Sequence, residues 1–124
     1  MYLDTVSKAL DGLYSTCDHI DSTIIYPGLS FDGDGMTFLF RLESDKYAQI
    51  RLSPNFAEWM AYCTNGWKKA APAIAQLAAP YGVQWDNEEG VLYIRFRRNE
   101  MTISEAVLRL HQAALVVGSW GYMF

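Results

Sequence analysis

From Leu92 to Arg97 the chain alternates between apolar and polar residues. Read as a strand over residues 91–98, this puts Leu92, Ile94 and Phe96 on one face. Tyr93, Arg95 and Arg97 then lie on the other. Residues 36–42 and 47–52 have similar strand character, and the turn-forming run Glu43-Ser44-Asp45-Lys46 separates them. Residues 19–26 read as an earlier strand ending at Pro27-Gly28, and residues 83–85 as a short strand before the Asp86–Gly90 turn. The Asp32-Gly33-Asp34-Gly35 run is also turn chemistry.

Apolar residues recur at helical spacing elsewhere. Val6, Leu10, Leu13 and Tyr14 predict a helix over 4–15, with Asp4 as a candidate N-cap. Ser53-Pro54 opens a second helix and Asn65-Gly66 closes it. A third runs from Trp67 to Ala79, with Pro72 predicting a kink or a start near Ala71. The stripe Ile103, Ala106, Val107, Leu110, Ala113, Ala114 and Val117 predicts the last helix over 102–117. Thr102 or Ser104 can cap it, and Gly118 is expected to end it. The resulting order is α-β-β-β-α(α)-β-β-α. It predicts an α+β fold, an antiparallel sheet of about five strands with helices packed on one face.

At 124 residues, 51% hydrophobic and 15% aromatic, the chain is expected to form one domain over residues 1–124 with a real core. No apolar run reaches the roughly 18 residues of a membrane span. No signal peptide is visible, so a cytoplasmic location is expected, with Cys17 and Cys63 as buried free thiols.

The chain is acidic, with net charge −4. Residues 1–34 hold Asp4, Asp11, Asp18, Asp21, Asp32 and Asp34 against Lys8 alone. The remainder is slightly basic. Such asymmetry suggests an oriented electrostatic surface, beside the plainer reading of ordinary solvated charge.

The strand pattern groups Arg41, Arg51, Arg95 and Arg97 on one sheet face with Thr37, Tyr47, Gln49 and Tyr93. Arginine mixed with tyrosine suits anionic groups. The plainer reading, which we favour, is a solvated face whose arginines pair with Glu43 and other acids. Cys17, His19 and Asp21 are metal-ligand types facing one side of an extended segment, but a fourth ligand or an open position is needed. A polar turn fits better, and no metal or cofactor is expected. The calcium-loop pattern fails at Met36 and Thr37. Catalytic motifs are missing too, including Gly-x-Ser-x-Gly, the P-loop and the dinucleotide fingerprint. His111 and Cys63 read as packing residues, and an enzyme is not expected.

In pattern, residues 5–120 resemble the phage- and bacteria-associated domain of unknown function 1828. The resemblance lies in Ile24-Ile25-Tyr26-Pro27, Asp32–Phe40, Leu77–Val83 and Ile103–Ala114. It implies a mobile-element setting and no particular activity. The element order is also similar to the type III secretion chaperone-like fold, whose members are small, acidic, often dimeric binders of partner segments.

These readings point to a non-catalytic protein-binding domain of phage type, with inhibition of a host defence enzyme as its candidate role. Asp32 and Asp34 would act as charge mimics, with Trp120 in the partner surface. The alternatives are nucleic-acid or nucleotide binding through Arg41, Arg51, Arg95 and Arg97, and a chaperone-like homodimer.

Overall fold

The computed structural model describes residues 1–31, 34–64 and 67–121. Helix α1 (Leu3–Leu10) leads into strands β1 (Ser15–Asp18) and β2 (Thr23–Tyr26). A small hairpin follows, β3 (Ser30–Phe31) with β4 (Asp34–Gly35). Next come β5 (Phe38–Leu42), β6 (Tyr47–Leu52), α2 (Asn55–Thr64) and α3 (Trp67–Ala78). A 3₁₀ turn over Ala79–Tyr81, β7 (Gln84–Asp86), β8 (Val91–Arg97) and α4 (Ile103–Gly121) complete the chain.

Six strands form one antiparallel sheet in the order β1-β2-β5-β6-β8-β7. The fold is therefore α+β, as the alternation predicts. Its strand count exceeds the expected five because β1 occupies residues assigned to the first helix and its turn. That helix stops at Leu10, where Asp11 (φ 49°) and Gly12 (φ 77°) both take the left-handed conformation. Tyr14 continues the helical spacing in sequence alone; it lies beyond the break, half-buried against the core. The predicted strand over 19–26 is confined to 23–26, because residues 19–22 form the β1–β2 turn, with the His19 amide donating to the Ser22 carbonyl at 2.9 Å.

All four helices among the described residues pack on one side of the sheet. Phe38 and Phe40 from β5, Ala48, Ile50 and Leu52 from β6, and Leu92, Ile94 and Phe96 from β8 face them and are buried. Helix α4 is the central member, contacting α1, α2, α3, β6 and β8. Its Ala106, Val107, Leu110, Ala113, Ala114 and Val117 are fully buried. Thr102 Oγ1 accepts the Glu105 amide at 3.1 Å and caps it. The helix runs through Gly118, where it was expected to end, because Gly118 lies on this buried stripe and packing outweighs its weak helix propensity.

Two smaller expectations are narrowed. Helix α3 starts at Trp67 and not near Ala71, and runs through Pro72, which sits on its exposed side. Ser53 does precede α2, but its hydroxyl accepts the Thr37 amide at 3.1 Å and so ties the start of β5 to the end of β6.

Candidate functional site

The face of the sheet turned away from the helices is uncovered across its central strands. Strand register sets its composition, because every second residue of β5, β6 and β8 points there. Arg41, Gln49 and Arg95 form one cross-strand row. Leu39, Arg51 and Tyr93 form the next, extended by Ile24 on β2 and Gln84 on β7. Tyr47 faces Arg97 in a third. The structure thus brings together the four arginines that the alternation groups on one face, and Thr37 lies just before β5.

A connected set of hydrogen bonds crosses this face. The Arg95 Nε donates to Glu43 Oε2, and Gln49 Nε2 donates to Glu43 Oε1 at 2.9 Å. The Gln49 amide oxygen then accepts from Arg51 Nε at 2.6 Å. Arg51 reaches onward to Asp86 Oδ2 at 2.9 Å and to Glu89. Gln49, 8% exposed, is the buried relay in this series. The other Asp86 oxygen accepts the amides of Glu88 and Glu89 at 3.0 and 3.1 Å, which fixes the β7–β8 turn.

Electrostatics follow the same geometry. The Arg51 hydrogen bond holds the Asp86 carboxyl below its ordinary range, helped by the turn amides. Burial pulls against the charged form of Arg51, but Asp86 and Glu89 more than offset it, so its guanidinium is held above its ordinary value.

Tyr47 organises the other end. The Arg95 guanidinium carbon lies 4.0 Å from its ring centroid and that of Arg97 lies 5.3 Å away. Arg97 Nε also donates to the Tyr47 hydroxyl at 2.9 Å, and a further guanidinium nitrogen sits 3.7 Å from Glu100. Arg51 packs on Tyr93 at 5.2 Å in the same manner. Among the described residues Arg41 alone of the four arginines has no hydrogen bond or ion pair. It borders a depression of about 280 Å³ with Asp21, Ser22, Leu39, Gln49, Arg51 and Glu89.

The remaining candidates are placed as follows. Asp32 lies outside the described residues, and Asp34 belongs to β4. Trp120 is half-buried and packed against the core. Cys17 stands exposed in β1, a correction to its expected burial that follows from its position on an edge strand. His19 and Asp21 lie in the turn beyond it. Among the described residues no three His, Cys, Asp or Glu side chains are grouped to hold a metal ion. Sequence reading missed Asp86 and Glu89 as partners of Arg51. Their signal is the Asp-x-x-Glu spacing in the turn beside the strand that pairs with β6 through Tyr93.

No helix among the described residues is long and apolar enough to cross a membrane. Comparison with protein-family models, curated protein sequences and solved structures finds no match to this chain. The two resemblances read from the sequence therefore gain no support from these comparisons.

Proposed function

We propose that the chain is a non-catalytic binding domain that engages a protein partner through the open face of its sheet. The observation carrying this reading is the Arg95–Tyr47–Arg97 stack, set in a face whose charges balance. Arginine and tyrosine are the residues that most often dominate binding energy at protein interfaces. Stacking and hydrogen bonding hold these side chains in place before a partner arrives, which reduces the ordering cost of binding.

Charge balance favours a protein over nucleic acid. Arg51 pairs with Asp86 and Glu89, Arg95 with Glu43 and Arg97 with Glu100, so that with Arg41, unpaired among the described residues, the face carries four cations and four carboxylates. A phosphate backbone laid here would meet as many carboxylates as guanidinium groups, whereas nucleic-acid surfaces carry a clear cationic surplus. In its narrower form the proposal places the domain among mobile-element proteins that occupy a host enzyme. That form rests on the acid-rich residues 1–34 and the motif patterning of the chain. The proposed setting is the cytoplasm, where the exposed Cys17 thiol would stay reduced.

The test is a tagged pull-down from host lysate with and without nuclease, run in parallel with the Tyr47→Ala/Arg95→Ala double variant. A protein retained after nuclease treatment and lost with the double variant is the expected result. Loss of the captured material on nuclease treatment, or equal capture by the variant, overturns the proposal.

A further inference from the structure

At one end of the sheet the β5–β6 turn and the end of β8 border an open, shallow cleft of about 470 Å³. Its walls are Asp45, Lys46, Arg97, Arg98 and Asn99. The two segments are tied by the Arg98 amide, which donates to the Lys46 carbonyl at 2.9 Å. Arg98 also reaches across to the Asp45 carbonyl at 3.3 Å. Arg97, the last residue of β8, and Arg98, the first of the turn after it, both line the cleft, with Lys46 on the facing turn.

Charge distinguishes this corner from the rest of the open face. Three cations line it with one carboxylate, Asp45, and Glu100 pairs with Arg97 from the neighbouring side, which leaves a surplus of one positive charge. Lys46 has no ion pair among the described residues, and the partner of Arg98 is a neutral carbonyl. Tyr47 holds Arg97 in orientation, and the contact of its outer nitrogen with Glu100 is long, at 3.7 Å, so the guanidinium is positioned before an anion arrives. A carboxylate needs one guanidinium fork. Three cationic groups reaching from three backbone positions suit an anion with three terminal oxygens and nearly two negative charges.

We propose that this cleft binds a phosphate monoester carried on a protein side chain, held by Lys46, Arg97 and Arg98. The choice of a protein carrier rests on the sheet-face reading above, because the cleft adjoins the Tyr47 stack through Arg97. The phosphate site itself does not depend on that reading.

The experiment is a titration of the full chain followed by backbone amide NMR. The probes are inorganic phosphate, a short capped glycine peptide with one phosphoserine, its unphosphorylated form, and a mononucleotide. Phosphate and the phosphopeptide are expected to move the amides of Lys46, Arg98 and Asn99, and the unphosphorylated peptide to leave them in place. The exposed double substitution Lys46→Gln/Arg98→Gln should weaken both by about tenfold or more. Arg109→Gln, on α4, should change nothing. Phosphate that moves no amides, or binds the double variant equally well, overturns the site while leaving the pull-down result to decide the sheet-face reading. Phosphate binding without phosphopeptide binding, or a mononucleotide bound more tightly than the phosphopeptide, overturns the protein carrier.

Discussion

Gly121 lies so close to Trp59 that a methyl group on it would stand 3.0 Å from the indole ring and 3.0 Å from the Met60 sulfur. The last turn of α4 therefore meets α2 so closely that any side chain there is crowded. Two effects compete on substitution. Gly121→Ala gains up to about 1 kcal/mol in helix propensity, which offsets the crowding. Gly121→Val gains less propensity and adds two further carbons, so it should destabilise by about 1–3 kcal/mol. Urea denaturation of both variants checks this. Gly35→Ala, with nothing within 4 Å, is the control and should stay within about 0.5 kcal/mol of the parent.

Thr23 is fully buried, and its hydroxyl serves two neighbours. It accepts the Tyr2 amide at 2.8 Å and donates to Asp18 at 3.1 Å. Thr23→Val keeps the shape but leaves a half-buried amide without its acceptor. A loss of about 1–3 kcal/mol is expected in chemical denaturation, and Thr23→Ser should recover most of it.

The Arg51–Asp86 pair makes stability depend on acid. Asp86 has a folded pKa depressed below its unfolded value of 3.8. The unfolded chain therefore takes up the proton first as pH falls. The stabilisation is complete above the unfolded value and is lost as pH drops through the depressed folded value. Asp86→Asn keeps an oxygen for the turn amides but removes the charge. It should lower stability at pH 7 and flatten the acid limb of the stability–pH profile, measured by urea denaturation across that range.

His111 gives a second, separate window. Burial holds its imidazole below 6.5, beside the Tyr14 hydroxyl at 3.4 Å and the edge-on Phe38 ring. Here too the unfolded chain binds the proton at higher pH than the folded one. Stability is full above 6.5 and falls as pH drops toward the folded value. Compared with the parent, His111→Gln should lose less stability between pH 7.5 and 5.5. The comparison cancels the contributions common to both proteins.

Much of this arrangement is legible in the sequence, and the misses share a cause. The alternation in 91–97 and 47–52 fixes which side chains share a face, because period two is unambiguous where one face is buried. Strand β1 escapes notice because Ser15-Thr16-Cys17-Asp18 has no apolar alternation; its place comes from pairing with β2, not from its own pattern. The Asp11-Gly12 break is readable in retrospect as a helix stop, yet Leu13 and Tyr14 carry the helical spacing past it. The pairing of Arg51 with Asp86 and Glu89 spans more than thirty residues and depends on the neighbour order β6-β8-β7, which no local pattern encodes.

That neighbour order also governs how the protein can be made. Strands β1, β2, β5 and β6 emerge from the ribosome as a sequential meander, but the strand that completes β6 is synthesised some forty residues later. Until β8 and α4 arrive, the meander has an open edge at β6 and an uncovered apolar face from Phe38 to Leu52. Closing the β6–β8 seam bears the loop-closure cost of the intervening chain. The nascent chain is therefore most exposed to aggregation during that interval, and truncation before residue 91 leaves β6 as an open edge and β7 without its partner strand.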